Sequence, residues 1–162
     1  MPVTAVMFWQ VVLAVHIVAV VAAFGVTFAY PLFGAVGARL DPRAMPWFHR
    51  MQAVIGRRLI SPGLGVVLLA GIYLASHLHQ WKAFYVEWGV GVSLVLGAIE
   101  GAFMVRSEAR LGDLAERDVA AAGSGAVKWS AEYESLVRRV AAVGAGMSLL
   151  VVITVYLMTV QA

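Results

Sequence analysis

The chain has no cysteine, which excludes disulfides, thiolate metal sites and cysteine nucleophiles together. Charge is scarce too. Only 13% of the residues are charged, against about a quarter in a soluble domain, and no Lys, Arg, Asp or Glu occurs between Met1 and Ala38. The recurrent catalytic signatures are also missing: no phosphate-binding glycine loop followed by Lys-Ser/Thr, no nucleophile elbow and no His-Glu-x-x-His. Nothing nominates a nucleophile with its base, so the reading leans away from an enzyme. The net charge of +3 comes without a long basic stripe or a stacking platform, which argues against nucleic acid as a partner.

What is present is apolar. Hydrophobic residues make up 62% of the chain and the mean hydropathy is +0.86, composition for a lipid bilayer. A spanning helix needs about 20 mostly apolar residues, and four segments offer that length: 7–33, 59–76, 84–104 and 140–160. The predicted fold is therefore all-α, a four-helix transmembrane bundle forming one domain over 1–162. The first run is too long for a signal sequence and has no basic residue before it, so it reads as a retained first helix. Pro62 falls in the first turn of the second span, where its missing N–H costs little. Pro31, near the end of the first, predicts a kink or a stop.

Eleven of the twelve Lys and Arg residues fall in the two loops after the first and third spans, and only Lys82 lies elsewhere. The positive-inside rule puts both loops in the cytoplasm and both termini outside, in the cytoplasmic (inner) membrane of a bacterium. Trp9, Trp81 and Trp88 then mark an outer aromatic belt, and Trp47 and Trp129 an inner one. In the first basic loop (34–58) Asp41 is placed to cap a short helix at Pro42. In the second, a polar helix from Arg106 to about Ala122 puts Asp113 and Arg117 four apart for pairing. Gly123-Ser124-Gly125 breaks it, and a new start at Ser130 runs into the fourth span.

Close packing in lipid relies on small residues. Gly89, Ser93, Gly97 and Gly101 form a stripe on helix three, with Gly146 among the matching small residues of helix four. The stripe reads as bundle packing, or alternatively as a homodimer face. Two ionisable residues lie in the apolar spans, where burial is expensive and function is the default hypothesis. Glu100, near the basic end of helix three, is expected to pair with Arg57, Arg58 or Arg106, or to act in a proton or cation relay. His16, in helix one, is expected to bond a neighbouring helix or to hold haem b as an axial ligand, since four-helix bundles commonly hold haem through such a histidine. No second histidine falls within a span, so one axial His is the most the sequence offers. His77 and His79, two apart without a third ligand, read as an exposed loop rather than a metal site.

The whole chain resembles a family of uncharacterised bacterial integral membrane proteins with four predicted helices. The likeness rests on Leu13-Ala14-Val15-His16, Tyr30-Pro31-Leu32, Asp41-Pro42, the run from Arg57-Arg58-Leu59-Ile60-Ser61-Pro62 into Leu68-Leu69-Ala70-Gly71-Ile72-Tyr73-Leu74, Val137-Arg138-Arg139 and Tyr156-Leu157-Met158. That family usually closes on Lys-Pro, where this chain ends Thr159-Val160-Gln161-Ala162. More distantly the chain is similar to the copper-resistance-D membrane proteins and the haem-containing membrane protoporphyrinogen oxidase, through His16 and Arg57/Arg58. The oxidase pattern carries a Lys and a His in helix three, where this chain offers Glu87 and Glu100. The leading functional expectation is a non-catalytic subunit of a larger membrane complex, or a homo-oligomer. The alternatives are a haem-b redox protein using His16 and a proton- or metal-linked transporter using Glu100.

Overall fold

In the computed structural model, which describes residues 6–161, four helices follow one another with short turns between them. We label them α1 (Phe8–Leu40), α2 (Pro42–His77), α3 (Phe84–Ala122) and α4 (Ala131–Gln161). Each contains a stretch long and apolar enough to cross a membrane, as a multi-pass integral membrane protein requires. Residues 1–5 and 162 of the expected domain lie outside the described residues.

The helices overrun the predicted spans. At 1.5 Å per residue, α2 and α3 are about 54 and 58 Å long, against a hydrocarbon core of about 30 Å. The bundle therefore has two tiers. In the apolar tier Ala23, Phe24, Ile60, Leu64, Val92, Leu96 and Val151 form the core. In the charged tier Met45, Leu111, Leu114, Ala115, Tyr133 and Val140 form a second core. This second tier is rimmed by ion pairs: Arg50 with Glu116 and Asp113, and Arg110 and Arg117 with Glu132. Both basic loops sit at this end, where the Arg43 guanidinium donates to the Gly125 carbonyl at 2.7 Å.

Several sequence expectations change. The 34–58 loop is almost wholly helical, because α1 continues to Leu40 and α2 starts at Pro42. Pro31 does not stop α1, which continues to Leu40; its ring removes the N–H that would have bonded the Thr27 carbonyl. Asp41 caps as expected, accepting from the Arg43 N–H at 3.0 Å. Asp113 faces Arg50 of α2 at 3.6 Å, and Arg117 instead joins Asp118 and Glu132. Trp88 turns into the bundle, donating to Thr154 at 3.0 Å. Along the glycine stripe, Gly89 is buried against Met158, whereas a Cβ at Gly97, Gly101 or Gly146 would meet nothing within 4 Å. The other close helix approaches fall at glycines outside the stripe. Gly63 sits against Ala23, Gly112 against Arg50, and Gly56 against Glu100.

Candidate functional site

Both long central helices carry one π-helical turn, at Gly56–Ile60 in α2 and at Glu100–Met104 in α3. The two turns contact each other across the bundle. Such turns insert an extra residue into a helix and recur at functional sites. Here the insertion has a geometric result. Glu100 and Glu108 are eight residues apart, which in a regular helix leaves them about 80° out of line. The extra residue takes up that angle, and both carboxylates line one cavity of about 720 Å³.

Glu100 is only 5% exposed. Its carboxylate lies against the α2 backbone, where a Cβ on Gly56 would stand 2.6 Å from Oε1. Among the described residues no hydrogen bond or ion pair reaches it. Arg57, Arg58 and Arg106 are exposed, so the expected partners point out of the bundle. From α1 the Tyr30 side chain lines the same cavity, and its hydroxyl is buried without a hydrogen-bond partner. The Tyr30 hydroxyl is thus a buried polar group with no partner, and the Glu100 carboxylate opens onto the same cavity without a protein partner. Since buried polar groups are almost always hydrogen-bonded, such exceptions call for a ligand or a function.

Deeper in the charged tier the cavity meets a fully satisfied cluster. His49 Nδ1 lies 2.7 Å from Glu108 Oε2, and Nε2 lies 2.9 Å from the Tyr133 hydroxyl. A carboxylate only accepts, so Nδ1 carries the proton, while Nε2 pairs with the Tyr133 hydroxyl, a group that can donate or accept. The three side chains tie α2, α3 and α4 together. Trp129 stacks on Tyr133 with ring centroids 4.4 Å apart and also lines the cavity. At the start of α4, beyond the apolar span, the Asp118 carboxylate accepts from the Ser130 backbone N–H at 2.8 Å. Although partial burial pushes the other way, bonds from the Ser130 backbone and hydroxyl and from Arg117 hold Asp118 below the usual carboxylate range. Glu132, in the same tier, is lowered by its bonds to Arg110 and Arg117.

His16 is elsewhere. Its Nδ1 lies 3.0 Å from the Val67 carbonyl of α2, and because a carbonyl only accepts, Nδ1 is the protonated nitrogen. The ring borders a second cavity of about 460 Å³ in the apolar tier. Phe24 and Val151 line both cavities and stand between them. His77 stacks on Tyr73, and His79 adopts a left-handed backbone at φ 56° in the turn. No group of three or more His, Asp or Glu gathers as a metal site among the described residues.

The structure thus brings Glu100 together with Tyr30, His49, Gln52, Glu108 and Tyr133, and keeps it apart from Arg57, Arg58 and His16. Reading 34–58 as a loop hid His49 and Gln52. The signal was present as a buried helical period, Met45, His49, Gln52, Gly56 and Ile60, that continues into the second span. Comparison of the chain with family models, curated proteins and solved structures returns no match in any of the three.

Proposed function

We propose that this chain is a proton-translocating carrier in the bacterial cytoplasmic membrane, with Glu100 as the group that takes up and releases the proton. The observation that carries this reading is the partnerless carboxylate of Glu100, a residue only 5% exposed, set on a π-turn and facing a 720 Å³ cavity. A structural carboxylate at that depth would be neutralised by an arginine, and the nearby arginines face away. Proton exchange needs a route to water. The cavity extends from Phe24 and Val151 in the apolar tier to Trp129 and Glu134 in the charged tier, so Glu100 communicates with that side. The positive-inside rule makes it the cytoplasmic side, with both termini outside. Self-association suits so small a carrier, and the exposed glycines Gly101 and Gly146 offer a face for a second copy.

Proteoliposomes carrying a pH-sensitive dye, energised by a potassium gradient with valinomycin, test it. Protons should enter vesicles containing the wild-type protein faster than protein-free ones, and Glu100→Gln should return the rate to the protein-free value. Equal rates for wild type and variant, or no flux above background in the wild type, would overturn the reading.

A second reading has its own support. The carbonyl of Val67 fixes His16 with its Nε2 lone pair free beside the 460 Å³ cavity. A histidine that ligates a metal typically donates its other N–H to just such a carbonyl, which favours haem b held by a single axial histidine. An absorption spectrum after expression with excess haem decides it. A Soret band lost in His16→Gln supports ligation, and a colourless wild-type protein removes it.

A further inference from the structure

The wall around Glu100 narrows what the cavity would carry. The polar groups that face it from each helix are few. From α1 comes the orphaned Tyr30 hydroxyl. From α2 comes His49, whose two nitrogens are engaged, and from α3 comes Glu108, bonded to His49. From α4 come Tyr133 and the Glu134–Arg138 pair, 3.7 Å apart at the exposed rim. The one cationic side chain on the wall is therefore neutralised by its neighbour, while the deepest group is a carboxylate with no partner. Apart from Thr27, Gln52 and Ser148 the rest of the wall is apolar or aromatic, including the stacked Trp129–Tyr133 pair.

An inorganic cation is poorly served here. Calcium and magnesium take about six or more oxygen ligands and zinc about four ligands, and His, Asp and Glu do not gather in threes among the described residues. An inorganic or organic anion meets uncompensated negative charge. A lipophilic organic cation meets what it needs: apolar and aromatic surface for its body, ring faces for its charge and one carboxylate as counter-ion. A volume of about 720 Å³ lies within the range of small-molecule pockets. We infer that the Glu100 cavity binds lipophilic organic cations, such as aromatic or alkyl amines and quaternary phosphonium or ammonium ions. This rests on the reading of Glu100 as the proton-exchanging group. The two share one carboxylate, so cation and proton exclude each other there: binding the cation expels the proton from Glu100 to the cytoplasmic water, and acidification displaces the cation.

Tetraphenylphosphonium is the probe, measured by equilibrium dialysis on the purified full-length protein in mild detergent, with neutral tetraphenylsilane as control. The wild type should bind the phosphonium saturably, with proton release into a weakly buffered solution and weaker binding as pH falls. Glu100→Gln should weaken binding at least tenfold and abolish the proton release. Trp129→Leu, which removes the ring stacked on Tyr133 in the cavity wall, should weaken it about threefold or more. The silane should not compete. Absence of saturable binding in the wild type, binding undiminished in Glu100→Gln, or equal competition by the silane would each overturn the inference. Phosphonium binding that needs Glu100 without any wild-type proton flux would overturn the carrier reading and leave the binding site standing. Flux that needs Glu100 without phosphonium binding would do the reverse.

Discussion

Gly56→Ala isolates the contact on which the site depends. The added methyl would stand 2.6 Å from Glu100 Oε1 and 2.9 Å from Val105 Cγ2. The carboxylate is the end of a flexible side chain and can swing aside; the Val105 methyl belongs to a β-branched residue with little rotamer freedom. Overpacking of this kind costs about 1–3 kcal/mol, and exchanging Gly for Ala within a helix returns about 0.5–1 kcal/mol. The net expectation is a loss of about 1–2 kcal/mol, read from the shift of the unfolding midpoint in SDS–detergent mixed micelles by circular dichroism. Gly97→Ala is the reference. Its Cβ meets nothing within 4 Å, so only the helix-propensity gain remains and the variant should match or exceed the wild type. Repeating Gly56→Ala in a Glu100→Ala background removes one of the two clashes, and the cost should fall by a measurable coupling energy, typically about 0.5–3 kcal/mol for residues in contact. A Gly56→Ala protein as stable as the wild type, or an undiminished cost in the double variant, would refute the packing of Glu100 on Gly56.

His49→Ala should be more damaging, because it strands the buried Glu108 carboxylate and the Tyr133 hydroxyl, at about 1–3 kcal/mol for each unsatisfied group; full stability in the same SDS titration would show that the cluster is not formed. Asp118 is held below the ordinary carboxylate range in the folded state, so its contribution is present above the unfolded value near 3.9 and fades as pH falls through the lower folded value. Wild-type stability should therefore drop relative to Asp118→Asn only below about pH 4, and parallel stability curves down to acid pH would contradict that. The cysteine-free chain makes topology simple to read: on intact cells an impermeant maleimide should label Gln80→Cys but neither Arg39→Cys nor Lys128→Cys, and the opposite pattern inverts the orientation.

The apolar tier was legible in the sequence because lipid imposes a demand that composition alone can meet: a span must be apolar for some twenty residues. Hence four spans are read from run length, and charge sorting already groups the basic loops that Arg43 and Gly125 join at one end. The charged tier was not legible in the same way. Its helices are shorter in apolar period and carry Arg50, Glu116, Arg110 and Glu132 on their outer faces, a pattern that a search for spans discards as loop. Close packing was misplaced for a related reason. A glycine stripe shows where a helix can approach another, but the neighbour's shape decides where it does, and Gly56 and Gly63 were chosen over Gly97 and Gly101.

The π-turns were the least readable feature, and they explain why Glu100 is where it is. No residue in Gly56–Ile60 or Glu100–Met104 breaks a helix by its own propensity, apart from the glycines Gly56 and Gly101. The cause lies in the mismatch between tiers. The buried face of α3 in the apolar tier, Gly89, Val92 and Leu96, must connect to the buried face of the charged tier, Glu108, Leu111 and Ala115. From Leu96 to Glu108 is twelve residues, one-third of a turn beyond three full turns in a regular helix. One inserted residue brings the two faces close to alignment, and the turn that absorbs it is the one that starts at Glu100. The carboxylate thus sits where the backbone changes register, opposite the same change in α2.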